Sequence, residues 1–111
     1  MSVLLDEVSD RWPVIRYLMD DPVYAAQYYE ELASFLDGAF AIDKVHNRMD
    51  ELHQLVTPYV IGEHGEVSPY TNLNNASAFE TSLTEGSYAL KPHVEDRHEA
   101  VEDALSLIGF E

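Results

Sequence analysis

An all-α fold, a small helical bundle of three main helices and two short ones, follows from three features of this 111-residue chain. Apolar residues recur at three- and four-residue spacing in three separate segments. Prolines and capping residues stand where those segments start, and glycines stand where several of them stop. Period-two stretches, the mark of a strand, are short and interrupted.

The first helix is expected over residues 9–20. Pro13 is tolerable only in a first turn, and Val14, Ile15, Leu18 and Met19 then supply an apolar face. Asp21 reads as the N-cap of the next helix, with Pro22 at its first position. From there to Asp37, residues Val23, Tyr24, Tyr28, Leu32, Phe35 and Leu36 share a face, and Gly38 is the stop. Ala39, Phe40 and Ala41 form a brief apolar link. A third helix is expected over residues 43–60, where Val45, Met49, Leu52, Val56 and Tyr59 form a stripe. Pro58 should bend it or end its regular hydrogen bonding.

Residues 62–75 break the pattern with two glycines, one proline and three asparagines, the one long loop. Ser77 and Glu80 have the spacing of a capping box, which predicts a short helix running through Leu83. The last helix should start near Lys91-Pro92 and run to Leu107 or Ile108. Val94, Val101, Ala104, Leu105 and Ile108 make its apolar face, and Glu95, Asp96, Glu99, Glu102 and Asp103 its wet one. These helices are expected to meet in one core of Tyr28, Leu32, Phe35, Met49, Leu52, Val56, Val101 and Leu105.

Length and composition point to a single helical domain over residues 1–111. A chain of this size buries roughly two-thirds of its unfolded surface. Hydrophobic residues make up 46 %, too many for a disordered tail. Twenty-one acidic against six basic residues give a formal charge of −15, which argues against nucleic acid or an anionic membrane as a partner. The absence of cysteine excludes disulfides, a zinc ribbon and a thiol nucleophile. Residues 1–10 lack the positive start and long apolar stretch of a signal peptide, and apolar runs never exceed four residues. A soluble chain is the expectation. The acidity fits a salt-adapted host and an ordinary acidic surface alike.

The most metal-like set is His46, Asp50 and His53, at positions i, i+4 and i+7 on one helix face. Three ligands on one helix seldom converge on an ion without a second element, so the ordinary account is a polar flank beside the Met49 stripe. Glu95, His98, Glu99 and Glu102 repeat the idea on the last helix, and together the two helices could frame a carboxylate-rich metal centre. The Glu-x-x-His pair of such centres occurs once, at Glu95 and His98, where two are required. A solvated acidic face accounts for these residues. Tyr24, Tyr28 and Tyr29 cluster on the second helix. They could form an aromatic sugar- or peptide-binding surface, but they fit better as rings closing a thin core with wet hydroxyls. Nucleophilic triads and glycine-rich phosphate loops are absent.

The stretch WPVIRYLMDDPVYAAQYYEELASFLDGAF (residues 12–40), followed by VHNRMDELHQLVTPYV (residues 45–60), resembles the carboxy-terminal region of the spore-coat protein H family, the CotH-type atypical protein kinases. AFETSLTEGSYALKPHVEDRHEAVEDAL (residues 78–105) resembles the end of that family, with Arg97 matching its arginine. The likeness runs from Trp12 to about Leu107. The resemblance implies a helical accessory part of a kinase-like protein, with no cofactor of its own and an upstream catalytic lobe or another protein as partner. It also implies a place outside the cytoplasm, in a spore coat or envelope. The family's aspartate- and asparagine-rich catalytic motifs lie upstream of this region, so none of its catalytic residues carries over. A kinase needs a lysine on the phosphates and acidic or amide ligands for magnesium. Lys44 and Lys91 lie near no such motif.

Two functions are therefore weighed: a non-catalytic accessory domain, and a small metal protein or enzyme using His46, Asp50, His53 and the acidic last helix. For the first, an exposed apolar patch is expected from Trp12, Ile15, Tyr17 and Phe40. Self-association through it is a further expectation, opposed at low salt by the net charge of −15.

Overall fold

The computed structural model describes residues 2–110, and among them every regular element is helical. The order is α1 (Pro13–Asp20), α2 (Pro22–Asp37), α3 (Ile42–Val60), α4 (Ala76–Glu80) and α5 (Leu90–Leu107). The all-α reading is met, with three long helices and two short ones.

Several boundaries move for local reasons. Helix α1 begins at Pro13 and not at residue 9, because a residue before proline is pushed out of the helical region. Trp12 accordingly has φ −116° and ψ 67°, and residues 9–12 close a separate turn through Trp12 N–H to the Ser9 carbonyl at 3.0 Å. Helix α2 starts as expected, the Asp21 carboxylate accepting from Val23 N–H at 2.9 Å with Pro22 next. Gly38 ends it through close approach: a Cβ there would stand 2.8 Å from the Ser34 carbonyl oxygen, to which Gly38 N–H donates at 2.9 Å.

Helix α3 continues through Pro58 to Val60, and Ile61 N–H still reaches the Thr57 carbonyl at 3.0 Å. Helix α4 is capped by Asn75, whose side chain accepts from Ala78 N–H at 2.9 Å, so the expected Ser77–Glu80 capping box is not used. Asparagine caps as well as serine and stands at the extended residue where the chain turns in. The helix then stops at Glu80, short of Leu83.

The chain forms two compact units, one of residues up to Ala41 together with those from Arg97 on, the other Ile42–Asp96. In the first, α1 packs on α2, and Leu36, Val101 and Leu105 make a buried cluster backed by Tyr29, Leu32, Ala33, Phe40 and Phe110. In the second, Ala89 and Val94 are buried. The expected core needs correction. Phe35, Leu52 and Val56 are 48 %, 43 % and 41 % exposed, and Ile108 is also at the surface. On α3 the half-buried side chains are Val45 and Met49 from the start of the apolar stripe together with His46, Asp50, His53 and Thr57, besides Ile42 and Val60 at the helix ends. The helix is turned so that its polar flank meets its neighbours and the Leu52–Val56–Tyr59 edge faces out.

Candidate functional site

His46, Asp50 and His53 share one face of α3 because they are spaced by single turns. That face meets the start of α5 and the end of α4 within the second unit. The Lys91 ammonium, on the first turn of α5, sits 2.7 Å from one Asp50 carboxylate oxygen and 2.8 Å from the other. The His46 Nε2 stands 3.4 Å from the Lys91 carbonyl and 3.6 Å from the Glu95 carboxylate. The His53 Nε2 donates to the Phe79 carbonyl at 2.9 Å, and its ring lies on the Phe79 ring at 4.2 Å between centroids.

A metal needs the lone pair of an imidazole nitrogen. The His53 Nε2 is committed to the Phe79 carbonyl, the His46 Nε2 faces the Lys91 carbonyl and Glu95, and Asp50 is taken by Lys91. Among the described residues, no group of three or more His, Asp or Glu side chains is placed to share one ion. The structure gives the metal reading no support. The second acidic set is likewise dispersed along α5. Glu95 faces His46, while His98 stands 3.6 Å from Glu102 and parallel to the Phe40 ring at 6.4 Å.

The other candidate lies in the first unit. No residue of α1 is buried. Trp12 is 65 % and Tyr17 80 % exposed, with Ile15 and Leu18 each at 41 %. Phe40 departs from the expected patch. It packs against the Leu36–Val101–Leu105 cluster and stacks on Phe35 at 5.2 Å, because the tight end at Gly38 turns the link back onto the core.

Beside α1 is an apolar cleft of about 250 Å³ lined by Leu5, Ile15, Leu18, Met19, Tyr24 and Tyr28. A second, of about 320 Å³, is lined by Pro13, Val14, Tyr17 and Leu18, so Leu18 joins the two into one surface. Two contacts the sequence reading missed tie residues 3–8, beside the first cleft, to α1 and α2. The Arg16 guanidinium donates to the carbonyls of Leu5 at 3.0 Å and Val8 at 3.1 Å while pairing with Asp20 at 2.9 Å. The Tyr28 hydroxyl donates to the Val3 carbonyl at 2.7 Å. Burial, and then the neighbouring Tyr29, push the Tyr28 phenol above its ordinary pKa. A lone arginine within the apolar run of α1 was the available sequence signal for the first contact.

Charge around this surface follows the acidity of the whole chain. Among residues 2–24 there are five carboxylates, Asp6, Glu7, Asp10, Asp20 and Asp21, against Arg11 and Arg16. The Asp6 carboxyl is held below its ordinary pKa, chiefly by the neighbouring Ser2 side chain. Elsewhere Arg48 pairs with Glu51 at 2.9 Å, so Arg16, Arg48 and Lys91 are all engaged with carboxylates.

Neither a curated protein nor a solved structure matches the chain. Among protein families, one described as CotH kinase protein matches residues 4–101, which take in the Arg16-pinned loop, α1 to α4 and α5 as far as Val101. With most of its length inside that match, the chain belongs to the CotH kinase protein family.

Proposed function

We propose that this chain is a non-catalytic helical region of a CotH-type protein, one that packs against a catalytic lobe or partner protein through α1. The observation that carries the reading is the exposure of Trp12 and Tyr17 on a helix with no buried residue. Large apolar side chains gathered on one surface mark an interaction site more often than an idle one. Scattered single apolar residues would not carry this weight.

Electrostatics support the same reading. Phosphoryl transfer is mostly positioning and charge stabilisation, so it needs cations or backbone donors converging on the phosphates. Three of the six basic residues here are bound to carboxylates, within a net charge of −15. Glu63 and His64 lie between Gly62 and Gly65, and a glutamate in that loop repels phosphate. Isothermal titration with Mg-ATP should show no binding by this chain, and labelled ATP should leave it unphosphorylated. Micromolar nucleotide binding would overturn the proposal.

A further inference from the structure

Resting on that docking reading, we propose the partner's chemistry: the α1 surface receives a basic amphipathic helix, apolar on the face it inserts and lysine- or arginine-rich along its edges. The two clefts that share Leu18 are open to solvent and lined almost wholly by apolar side chains, so they suit side-chain anchors rather than an enclosed small molecule. A row of shallow apolar clefts is what an amphipathic helix meets when it binds in a groove.

The sign of the partner follows from the neighbouring carboxylates. Asp6 and Glu7 directly follow the cleft residue Leu5 in the chain, and Asp20 and Asp21 directly follow the cleft residue Met19. All four are solvent-accessible, Asp21 less so than the rest. Arg16 pairs with Asp20 and donates to the Leu5 and Val8 carbonyls, so it offsets one of these four charges and leaves Asp6, Glu7 and Asp21. A second copy of the chain would bring the same carboxylates to the same place, and like charges facing each other are disfavoured. A basic partner meets apolar floor and acidic rim together.

Trp12, the only tryptophan, stands at the start of α1 and reports on the surface directly. The probe is an 18-residue designed helix with leucine and phenylalanine on one face and lysine on the other. Its twin carries glutamate at every lysine position. The lysine peptide should shift Trp12 emission to the blue saturably, bind at least about tenfold tighter than its twin, and weaken as salt shortens the Debye length from about 10 Å at 0.1 M to about 3 Å at 1 M. The double variant Tyr17→Ser/Leu18→Ser should lose the shift. Tyr59→Ser, which removes an exposed ring from the other unit, should keep it. Circular dichroism of both variants checks that they fold.

Equal binding of the two peptides overturns the assignment of charge while leaving docking through α1 intact. Binding that survives the double variant places the site elsewhere and overturns the inference. So does a salt-stabilised dimer, abolished by the double variant, that leaves the lysine peptide unbound. The nucleotide titration is unaffected by any of these outcomes, so the two proposals fail separately.

Discussion

His53 lies face to face with Phe79, their ring centroids 4.2 Å apart and their planes 8° from parallel, while its Nε2 donates to the Phe79 backbone carbonyl across 2.9 Å. One imidazole therefore ties the middle of α3 to the end of α4 twice. His53→Ala should cost about 1–3 kcal/mol in urea unfolding, the combined size of a stacked pair and a net hydrogen bond. His53→Phe should recover part of that loss by restoring the stack alone. Adding a chelator should leave the midpoint of the wild-type chain unchanged.

Tyr28 makes a pH-dependent contribution in the first unit. Its neutral phenol donates to the Val3 carbonyl, and a phenolate cannot. Because the folded-state pKa is raised, the folded chain holds this proton more tightly than the unfolded one. The stability is present below the unfolded value, near 10, and falls as pH rises through the folded value. Chemical denaturation from pH 8 to 11 should show that fall, and Tyr28→Phe should remove this component. At pH 7 the same variant should lose about 0.5–1.5 kcal/mol with the hydrogen bond.

Leu36 and Leu52 separate the buried cluster from the exposed edge of α3. Leu36 is 5 % exposed against 43 % for Leu52. Leu36→Ala should cost about 2–5 kcal/mol, the range for an interior leucine. Leu52→Ala should stay near about 0.5 kcal/mol, as surface changes do. Thermal or urea unfolding of the two variants side by side checks the orientation of α3.

Gly38 is held by contact and not by backbone sign, since its φ is −101°. Gly38→Ala places a methyl group 2.8 Å from a backbone oxygen that cannot swing aside. The variant should be about 1–3 kcal/mol less stable, as an overpacked site is. An unchanged urea midpoint would mean the end of α2 relaxes freely.

The sequence by itself determined the helices. Pro22 after Asp21 starts α2 where expected, and the spacing of Leu32 and Leu36 on one segment and Val101 and Leu105 on another marks the residues that the core uses. These signals are local, carried by the φ of proline, by side-chain caps and by the 3.6-residue period. Trp12, Ile15 and Tyr17 were legible as the exposed patch for the same reason: a one-face apolar helix of eight residues has little to cover it. The tertiary structure decided what periodicity leaves open. On α3 the apolar stripe and the His46–Asp50–His53 flank are adjacent, and the period is the same for both. Val45 and Met49 stay half-buried, but beyond them the flank and not the stripe turns inward, toward partners 26 to 45 residues away, the Phe79 carbonyl and Lys91. The contacts of Arg16, in the apolar run of α1, and of Phe40, in the link after α2, lay outside any local pattern for the same physical reason. A guanidinium finds carbonyls brought back by a turn, a ring finds a core brought back by Gly38, and such closures are set by the path of the chain in space.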